Sequence, residues 1–192
     1  MSEVLVVAAH ATEVAHVPDD VPVLITGMGK TLAAVRLTRA LAEHPRRDDL
    51  VVVNLGTAGS LRPGVRGVHE IGTVLNHDLS AEPIRQLGID PRERLVLDAS
   101  RPTVLASGDL FVTDEVVRDR LAEQAQLVDM EGYAVALACE EMGVPVHLVK
   151  DVSDDADEDA HDWSYAVDAC AHRLAGWLRE HLDDLRSEGD PR

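Results

Sequence analysis

The sequence predicts an α/β fold, with helices packed on a largely parallel or mixed sheet. Short runs rich in Val and Leu alternate with segments of helical periodicity, and this alternation is typical of layered α/β domains. The 192 residues are 45% hydrophobic and 28% charged, which is the composition of an ordinary globular chain. Because no linker or internal repeat divides the chain, we expect one domain over residues 1–186 and a polar tail over residues 187–192.

Six short apolar runs predict the strands of this sheet. They are rich in Val, Leu and Ile, as strands buried on both faces are, and they span residues 4–8, 21–26, 50–54, 71–75, 103–106 and 146–149. Apolar residues recur at helical spacing in four further segments, over residues 31–43, 114–124, 132–142 and 163–185. The stretch over residues 80–102 is less regular.

Charge and cysteine content exclude several classes of partner. The formal net charge of -17 repels nucleic acids and anionic membranes, so a small neutral or cationic ligand fits the chain better. No apolar run approaches the roughly 20 residues of a membrane span, and residues 1–10 lack the basic start of a signal peptide. The only cysteines, Cys139 and Cys170, form no C-x-x-C pair. We therefore expect a cytoplasmic protein without a structural zinc site or disulfides.

Four familiar motifs fail in this chain. Residues 27–31 follow a strand and open a helix, but a phosphate-binding loop would need glycine in place of Leu24, and a dinucleotide fingerprint would need it in place of Leu32. We interpret this segment as a tight turn between strand and helix. The acidic run over residues 151–162 lacks the glycine and glutamate of an EF-hand, and no G-x-S-x-G serine elbow is present.

Four predicted strand ends carry Gly, Ser, Thr or acidic residues, at residues 10–13, 56–59, 107–111 and 153–157. In open α/β sheets, ligands bind beyond the carboxyl ends of the strands, so we expect these four segments to converge on one site. Residues 56–59 are interpreted as a small-residue turn, for which ligand binding and plain turn chemistry are both open. Glu131, which precedes an Ala-rich helix, either contacts a ligand or complements the helix N-terminus.

Six segments, taken in order, resemble the nucleoside phosphorylase/nucleosidase family, and most closely its methylthioadenosine/S-adenosylhomocysteine nucleosidase branch. They cover most of the chain and lie at residues 7–14, 27–30, 54–59, 107–112, 128–132 and 150–157. The resemblance implies a three-layer α/β/α domain around a central mixed sheet. It also implies a purine nucleoside as the small-molecule partner, no cofactor and no metal, and a homodimer.

The resemblance assigns chemical roles to two carboxyl groups. Asp154 would be the general acid at purine N7, and Glu13 would activate the attacking water. Glu131 would bind the ribose 2′ and 3′ hydroxyls, with Met130 packed against the sugar. This set suits the cleavage of an N-glycosidic bond, because that reaction needs a proton donor for the departing base and a base for the nucleophile.

Four further residues complete the implied substrate site. Phe111, the only Phe in the chain, would stack on the base, and the backbone of Val112 would bond the base edge. Thr57 would lie near the water and the ribose. Ser153, beside the acid, is the last member of the expected substrate-binding set.

The reaction itself is expected to be hydrolysis rather than phosphorolysis. Phosphate needs cationic partners, but Asn54 stands where the phosphorylase branch has an arginine, and residues 10–18 contain neither Gly nor Arg. Glu13 would also repel phosphate. Two alternatives stay open, a phosphate-dependent phosphorylase and a nucleoside-binding protein without turnover, although the latter would not need Glu13 together with Asp154. The 5′ group and the choice between 6-amino and 6-oxo bases also stay open.

Overall fold

A computed structural model of the protein describes residues 1–156 and 163–188. Within them the chain forms eight strands, which are β1 (Glu3–Ala8), β2 (Val23–Ile25), β3 (Leu50–Ser60), β4 (Val68–Asn76), β5 (Arg94–Val96), β6 (Thr103–Ser107), β7 (Leu127–Asp129) and β8 (Val146–Asp154). The α-helices are α1 (Lys30–Glu43), α2 (Ala81–Gln86), α3 (Glu115–Ala122), α4 (Gly132–Met142) and α5 (Trp163–Ser187). Short 3-10 helices lie at Ala11–Val14 and Arg47–Asp49.

All eight strands belong to one mixed sheet. Its main path runs β2-β1-β3-β7-β6-β4-β5, and β8 pairs with both β3 and β4. Strands β3, β7, β6, β4 and β8 therefore form a closed ring. The β3 strand is parallel to β1 and β8 and antiparallel to β7, whereas β4 is parallel to β6 and antiparallel to β8.

The side chains of β1 illustrate how both faces of the sheet are covered. Val4 and Val6 pack in one core cluster with Leu174 and Leu178 of α5. Val7, which points to the opposite face because strand side chains alternate, packs in a second cluster with residues of α1 and α4. Helix α5 thus covers one face and helices α1 and α4 cover the other. The predicted three-layer α/β/α domain around a central mixed sheet is confirmed.

The predicted elements are present, with differences at short strands. A strand occupies each of the six predicted positions and a helix each of the four. Strands β5 and β7, of three residues each, and the short helix α2 were not predicted. The irregular stretch over residues 80–102 contains α2 and β5.

The prediction of a turn at residues 56–59 was wrong, because β3 continues through them to Ser60. Their glycines allow other groups to come close to the strand. A Cβ atom on Gly56 would lie 3.0 Å from Lys150 Nζ and 3.4 Å from Glu13 Oε1. A Cβ on Gly59 would lie 2.9 Å from Asp154 Oδ1. Glycine in a strand marks such close approaches as often as it marks a turn.

A β-bulge interrupts the pairing of β3 with β8. Ala58 pairs with Val152, but the next residue, Gly59, pairs with Asp154, so β8 has one extra residue, Ser153, at this point. In a regular strand, consecutive side chains point to opposite faces. A bulge changes the direction of a side chain, and Ser153 and Asp154 accordingly both line one cavity.

The described helices include none that is both long and apolar enough to cross a membrane. Helix α5 includes Ser187, the first residue of the predicted tail, and residues 189–192 lie outside the described residues. Residues 157–162, which contain the last position of the sixth family-like segment and the second half of the acidic run, lie outside them as well.

Candidate active site

One cavity of about 330 Å³ brings together all eight predicted site residues. Its size lies at the lower end of the range for small-molecule sites, which is roughly 300–1,000 Å³. The predicted residues that line it are Glu13, Thr57, Phe111, Val112, Met130, Glu131, Ser153 and Asp154. The cavity is therefore lined by residues from distant parts of the chain, and Glu13 and Asp154 are 141 positions apart.

Glu13 is held rigidly beside β3. It lies in the 3-10 helix Ala11–Val14 that follows β1, and it is buried. Its Oε2 accepts a hydrogen bond from the backbone N–H of His10 at 3.0 Å. Its Oε1 accepts two more from Thr57, at 2.8 Å from the backbone N–H and at 2.9 Å from the hydroxyl. These donors fix the orientation of a carboxylate that still faces the cavity.

Asp154 lies at the end of β8, where the bulge directs it into the cavity. The hydroxyl of Ser153 donates to Asp154 Oδ2 at 2.6 Å. The backbone N–H of Ala156 donates to Asp154 Oδ1 at 2.9 Å, and Ala156 itself adopts a left-handed conformation with φ 49°. Strained backbone of this kind is maintained only where surrounding contacts support it, and it is frequent at functional sites.

Four charged side chains, Glu13, Asp129, Glu131 and Lys150, form what we call the charged cluster. Lys150 Nζ lies 2.9 Å from Asp129 Oδ2, and both side chains are buried. Asp129 also accepts hydrogen bonds from the hydroxyl of Ser107 and from the backbone N–H of Gly132. Three carboxyl groups and one ammonium group thus share a small buried volume.

The Gly27–Lys30 turn contributes to the charged cluster. The backbone N–H of Gly29 donates to Glu131 Oε1 at 2.7 Å. Gly29 has a φ of 92° and Gly27 a φ of 79°, a region that residues with a Cβ atom rarely adopt. The interpretation of this segment as a tight turn into α1 agrees with the structure, and the turn also contacts the candidate sugar-binding carboxylate.

Burial and neighbouring charges shift the pKa values of this cluster. Desolvation, and then the nearby Asp129, raise the pKa of Glu131 from 4.5 to about 7. Burial acts against the ammonium form of Lys150, but Asp129, Glu131 and Glu13 outweigh that cost and raise its pKa above the ordinary value. Lys150 therefore stays charged, and Glu131 titrates near neutrality.

Part of the cavity lining is apolar. We call Met28, Leu110 and Phe111 the apolar rim, because these three side chains line the cavity and yet are 55%, 51% and 49% exposed. Val112, beside them in the chain, is buried. The rim supplies a flat apolar surface of the kind on which a nucleobase stacks.

Polar contacts connect the two segments that carry the apolar rim. The backbone N–H of Lys30 donates to Asp109 Oδ1 at 2.7 Å, and the backbone N–H of Asp109 donates to Asp78 Oδ2 at 2.8 Å. The Lys30 ammonium donates to Asn76 Oδ1 at 2.7 Å and also to Asp78. The position of Phe111 is thus linked to the turn that contacts Glu131.

The site residues predicted from the sequence do not include Asp129 or Lys150. A signal for them exists, because Lys150 lies in an apolar run that forms a buried strand, and a buried ammonium needs a carboxylate partner. Met28 and Leu110 were also missed, since apolar residues in loops have no distinctive pattern. Asn54 lies outside the cavity lining, and its amide donates to Val7 O at 2.9 Å, which ties β3 to β1.

The layered mixed sheet and the acid-rich cavity define an α/β protein with a concave site for a small, partly apolar ligand. The chain belongs to the phosphorylase superfamily, whose family model matches residues 8–182. This confirms the family resemblance.

Curated relatives match about half of the chain. The aminodeoxyfutalosine nucleosidase of Helicobacter pylori strain J99 is 36% identical over 90 residues, which are 45% of this chain and 39% of that protein. The same enzyme of strain 26695 is 35% identical over 85 residues, which are 43% and 37% of the two chains. The chain thus spans about two fifths of the length of these relatives.

Solved structures share the fold over nearly the whole chain. A Helicobacter pylori 5′-methylthioadenosine/S-adenosylhomocysteine nucleosidase variant with 5′-methylthioadenosine in its active site has a TM-score of 0.83 and 21% identity, and the match covers 96% of this chain and 99% of that one. The Helicobacter pylori futalosine hydrolase has a TM-score of 0.81 and 20% identity, with 95% and 98% covered. At these identities the likeness concerns the fold.

Proposed function

We propose that the protein is a nucleosidase that hydrolyses the N-glycosidic bond of an adenosine-type purine nucleoside to free base and a ribose moiety. One observation carries the proposal, namely that Glu13 and Asp154 line the same cavity. The names of the relatives, which are nucleosidases or hydrolases of nucleosides, support a substrate modified at its 5′ position.

One carboxyl group would act on the departing base and the other on the attacking water. Protonated Asp154 donates to purine N7, so that the base leaves as a neutral molecule. Glu13 takes a proton from water as the water oxygen attacks the anomeric carbon of the ribose. Positioned acid or base catalysis of this kind contributes roughly 10²–10⁴-fold per group. The hydrogen bonds from His10 and Thr57 keep the Glu13 carboxylate oriented without neutralising it.

The charged cluster supports the departure of the base in a second way. Positive charge develops on the ribose as the glycosidic bond lengthens, and carboxylates arranged in advance stabilise it. Glu131 lines the cavity and would bind the ribose diol, with Met130 against the sugar. Asp129 and Lys150 would set the charge state and position of Glu131 from behind, since Lys150 is paired with Asp129.

The lining of the cavity favours water over phosphate as the nucleophile. Among the described residues that line it, none is Arg or Lys. A phosphate dianion would face Glu13, Asp129, Glu131 and Asp154 without a cationic partner, and anions of this kind bind where cations or convergent N–H groups meet them. Membership of the phosphorylase superfamily leaves phosphorolysis as the alternative outcome of the test below.

The apolar rim supports the further proposal that the protein is a homodimer. Leu32 and Val35 of α1, which follow Met28 by four and seven positions in the chain, are also exposed, at 43% and 61%. Contiguous apolar surface next to a binding site is typical of a protein interface. We also propose that residues 1–186 act as one domain in the cytoplasm, where the unpaired Cys139 and Cys170 would stay reduced.

An assay of base release tests the proposed reaction. The protein is incubated with adenosine, 5′-methylthioadenosine and inosine, with and without inorganic phosphate, and free base is measured by chromatography. We expect adenine to form without phosphate. A requirement for phosphate would identify a phosphorylase, and nucleoside binding without base release would identify a binding protein.

Glu13→Gln is the matched variant for this assay. It keeps the size and most hydrogen bonds of the side chain but loses the ability to take a proton from water. We expect base release to fall by roughly 10²–10⁴-fold while nucleoside binding, measured by calorimetry, persists. An unchanged rate would show that another group activates the water.

A further inference from the structure

A cluster of metal-ligating side chains lies outside the cavity. His16 follows the 3-10 helix that carries Glu13, and Asp168 and His172 lie on α5. Residues four apart in a helix lie on the same face, so Asp168 and His172 point toward His16 together. None of the three is among the described residues that line the cavity.

The three side chains are already close to one another. His16 Nε2 lies 2.8 Å from Asp168 Oδ1, and His172 Nε2 lies 3.9 Å from Asp168 Oδ2. The two imidazole rings are stacked, with their centroids 3.5 Å apart. One candidate ligand atom from each residue lies within 4.8 Å of the others.

We propose that His16, Asp168 and His172 form a binding site for a divalent transition-metal ion of the zinc type. Two imidazoles and one carboxylate are a common ligand set for Zn²⁺, with a water in the fourth position. Tetrahedral Zn²⁺ with ligands at about 2.0–2.1 Å holds its donor atoms about 3.3 Å apart. Small rotations would bring the donors from their present separations to that value.

The surroundings permit those rotations and select the class of ion. The side chains of His16, Asp168 and His172 are 29%, 73% and 63% exposed, so the rings can leave the stacked arrangement at little steric cost. Mg²⁺ and Ca²⁺ prefer sites made of oxygen ligands, and this set offers two nitrogens. The net charge of -17 attracts cations in general.

A metal ion here would join α5 to the segment that follows Glu13. The guanidinium of Arg179 already donates to His16 O at 2.9 Å, which seats the His16 loop on α5. An ion bridging His16 to Asp168 and His172 would fasten the segment after Glu13 to that helix. The site is therefore a structural clamp beside the cavity, and it does not depend on the reaction proposed above.

Calorimetric titration of the full-length, tag-free chain with ZnCl₂ tests the proposal. We expect one site in the wild type, and binding roughly tenfold or more weaker in both His172→Ala and His16→Ala. His181→Ala is the matched control, because His181 is also an α5 histidine but stacks on Trp177 instead. This control should bind like the wild type, and MgCl₂ should give no comparable heat. Equal Zn²⁺ binding by His172→Ala and wild type, or no binding by the wild type, would overturn the site.

Thermal unfolding provides a second readout that separates folding from binding. Without metal, His172→Ala should unfold close to the wild-type temperature, because the side chain is mostly exposed. With Zn²⁺ added, the midpoint should rise for wild type and His181→Ala but not for His172→Ala, since an ion that binds the native state stabilises it. A rise of equal size in all three proteins would place the ion elsewhere. Neither readout involves base release, so loss of the proposed nucleosidase activity would leave this result unaffected.

Discussion

The charged cluster and the apolar rim both contribute side chains to one cavity, and they differ in how completely contacts within the chain bury them. In the cluster, Lys150 and Asp129 form an ion pair, and backbone N–H groups donate hydrogen bonds to the carboxylates of Glu13 and Glu131. In the rim, three large apolar side chains are about half exposed. Intrachain contacts therefore fix the charged groups, whereas the three rim side chains remain about half exposed to solvent. Substitutions of the charged groups should therefore change turnover or stability, whereas substitutions in the rim should change ligand binding with little effect on stability.

The largest effect should come from Asp154→Asn, at the proposed acid, which lines the same cavity as Glu13 and Glu131. The amide cannot donate an acidic proton to purine N7, so turnover should fall by roughly 10²–10⁴-fold. The variant keeps the volume of the side chain and can still accept from Ala156, so the unfolding midpoint should stay near that of the wild type. The checks are kcat for base release and thermal unfolding. Near-normal turnover would refute the role of the acid.

Lys150→Met should test whether the charged cluster holds the fold as well as the site. Removal of one partner from a buried ion pair leaves an uncompensated charge, here on Asp129, and typically costs about 3–5 kcal/mol of unfolding free energy. Urea unfolding measures this loss. Arg39→Met is the control, because Arg39 forms an exposed pair with Glu43 and its loss should change stability little. Equal effects of the two substitutions would contradict the importance of the buried pair.

Glu131→Gln should change how stability depends on pH. The pKa of Glu131 is about 7 in the folded chain and near 4.5 unfolded, so the folded state holds the proton more tightly. The resulting stabilisation is fully present below pH 4.5 and is lost as pH rises through 7. The glutamine does not titrate, so the variant does not lose this stabilisation. The unfolding free energy of the variant relative to wild type should therefore increase by up to about 3 kcal/mol as the pH rises from 4.5 to 7. Urea unfolding at a series of pH values measures the slope, and a constant difference would contradict the shifted pKa.

Phe111→Ala should have the smallest effect, because the apolar rim contributes to binding and not to the core. Loss of the stacking surface should weaken adenine binding by roughly 1–3 kcal/mol, while stability changes little, since Phe111 is 49% exposed. Calorimetry with adenine gives the dissociation constant. If the constant did not change, the base would bind away from the rim. If the protein unfolded, the distinction between rim and cluster would be lost.

Patterns in the sequence predicted the layers of the fold because buried strands and amphipathic helices have clear periodicities. The family-like segments, through the resemblance that they carry, predicted eight of the residues that line the cavity, but not Asp129, Met28 or Leu110. The course of β3 through Gly56 and Gly59 could not be predicted from local signals, because the reason for these glycines is the approach of Lys150, Glu13 and Asp154 from distant parts of the chain.

Other features escaped prediction for the same physical reason. Strand β7 has three residues, too few to show a period, and it exists because β3 and β6 pair with it on either side. The pairing of Lys150 with Asp129 joins residues 21 positions apart, and their charges alone do not indicate which partner each will find. The exposure of Phe111 likewise depends on the assembled fold.

The extra residue of β8 has a consequence for how this site can vary. Ser153 and Asp154 are neighbours in the chain and hydrogen-bonded to each other, yet both face the cavity, which regular strand geometry forbids. The orientation of both side chains into the cavity therefore depends on the extra residue in β8. Exchanging the chemistry at either position leaves the geometry intact, but removing one residue between Val152 and Ala156 would separate the hydroxyl from the carboxyl. Deletions in this strand should consequently disturb the positions of these two side chains more than substitutions do.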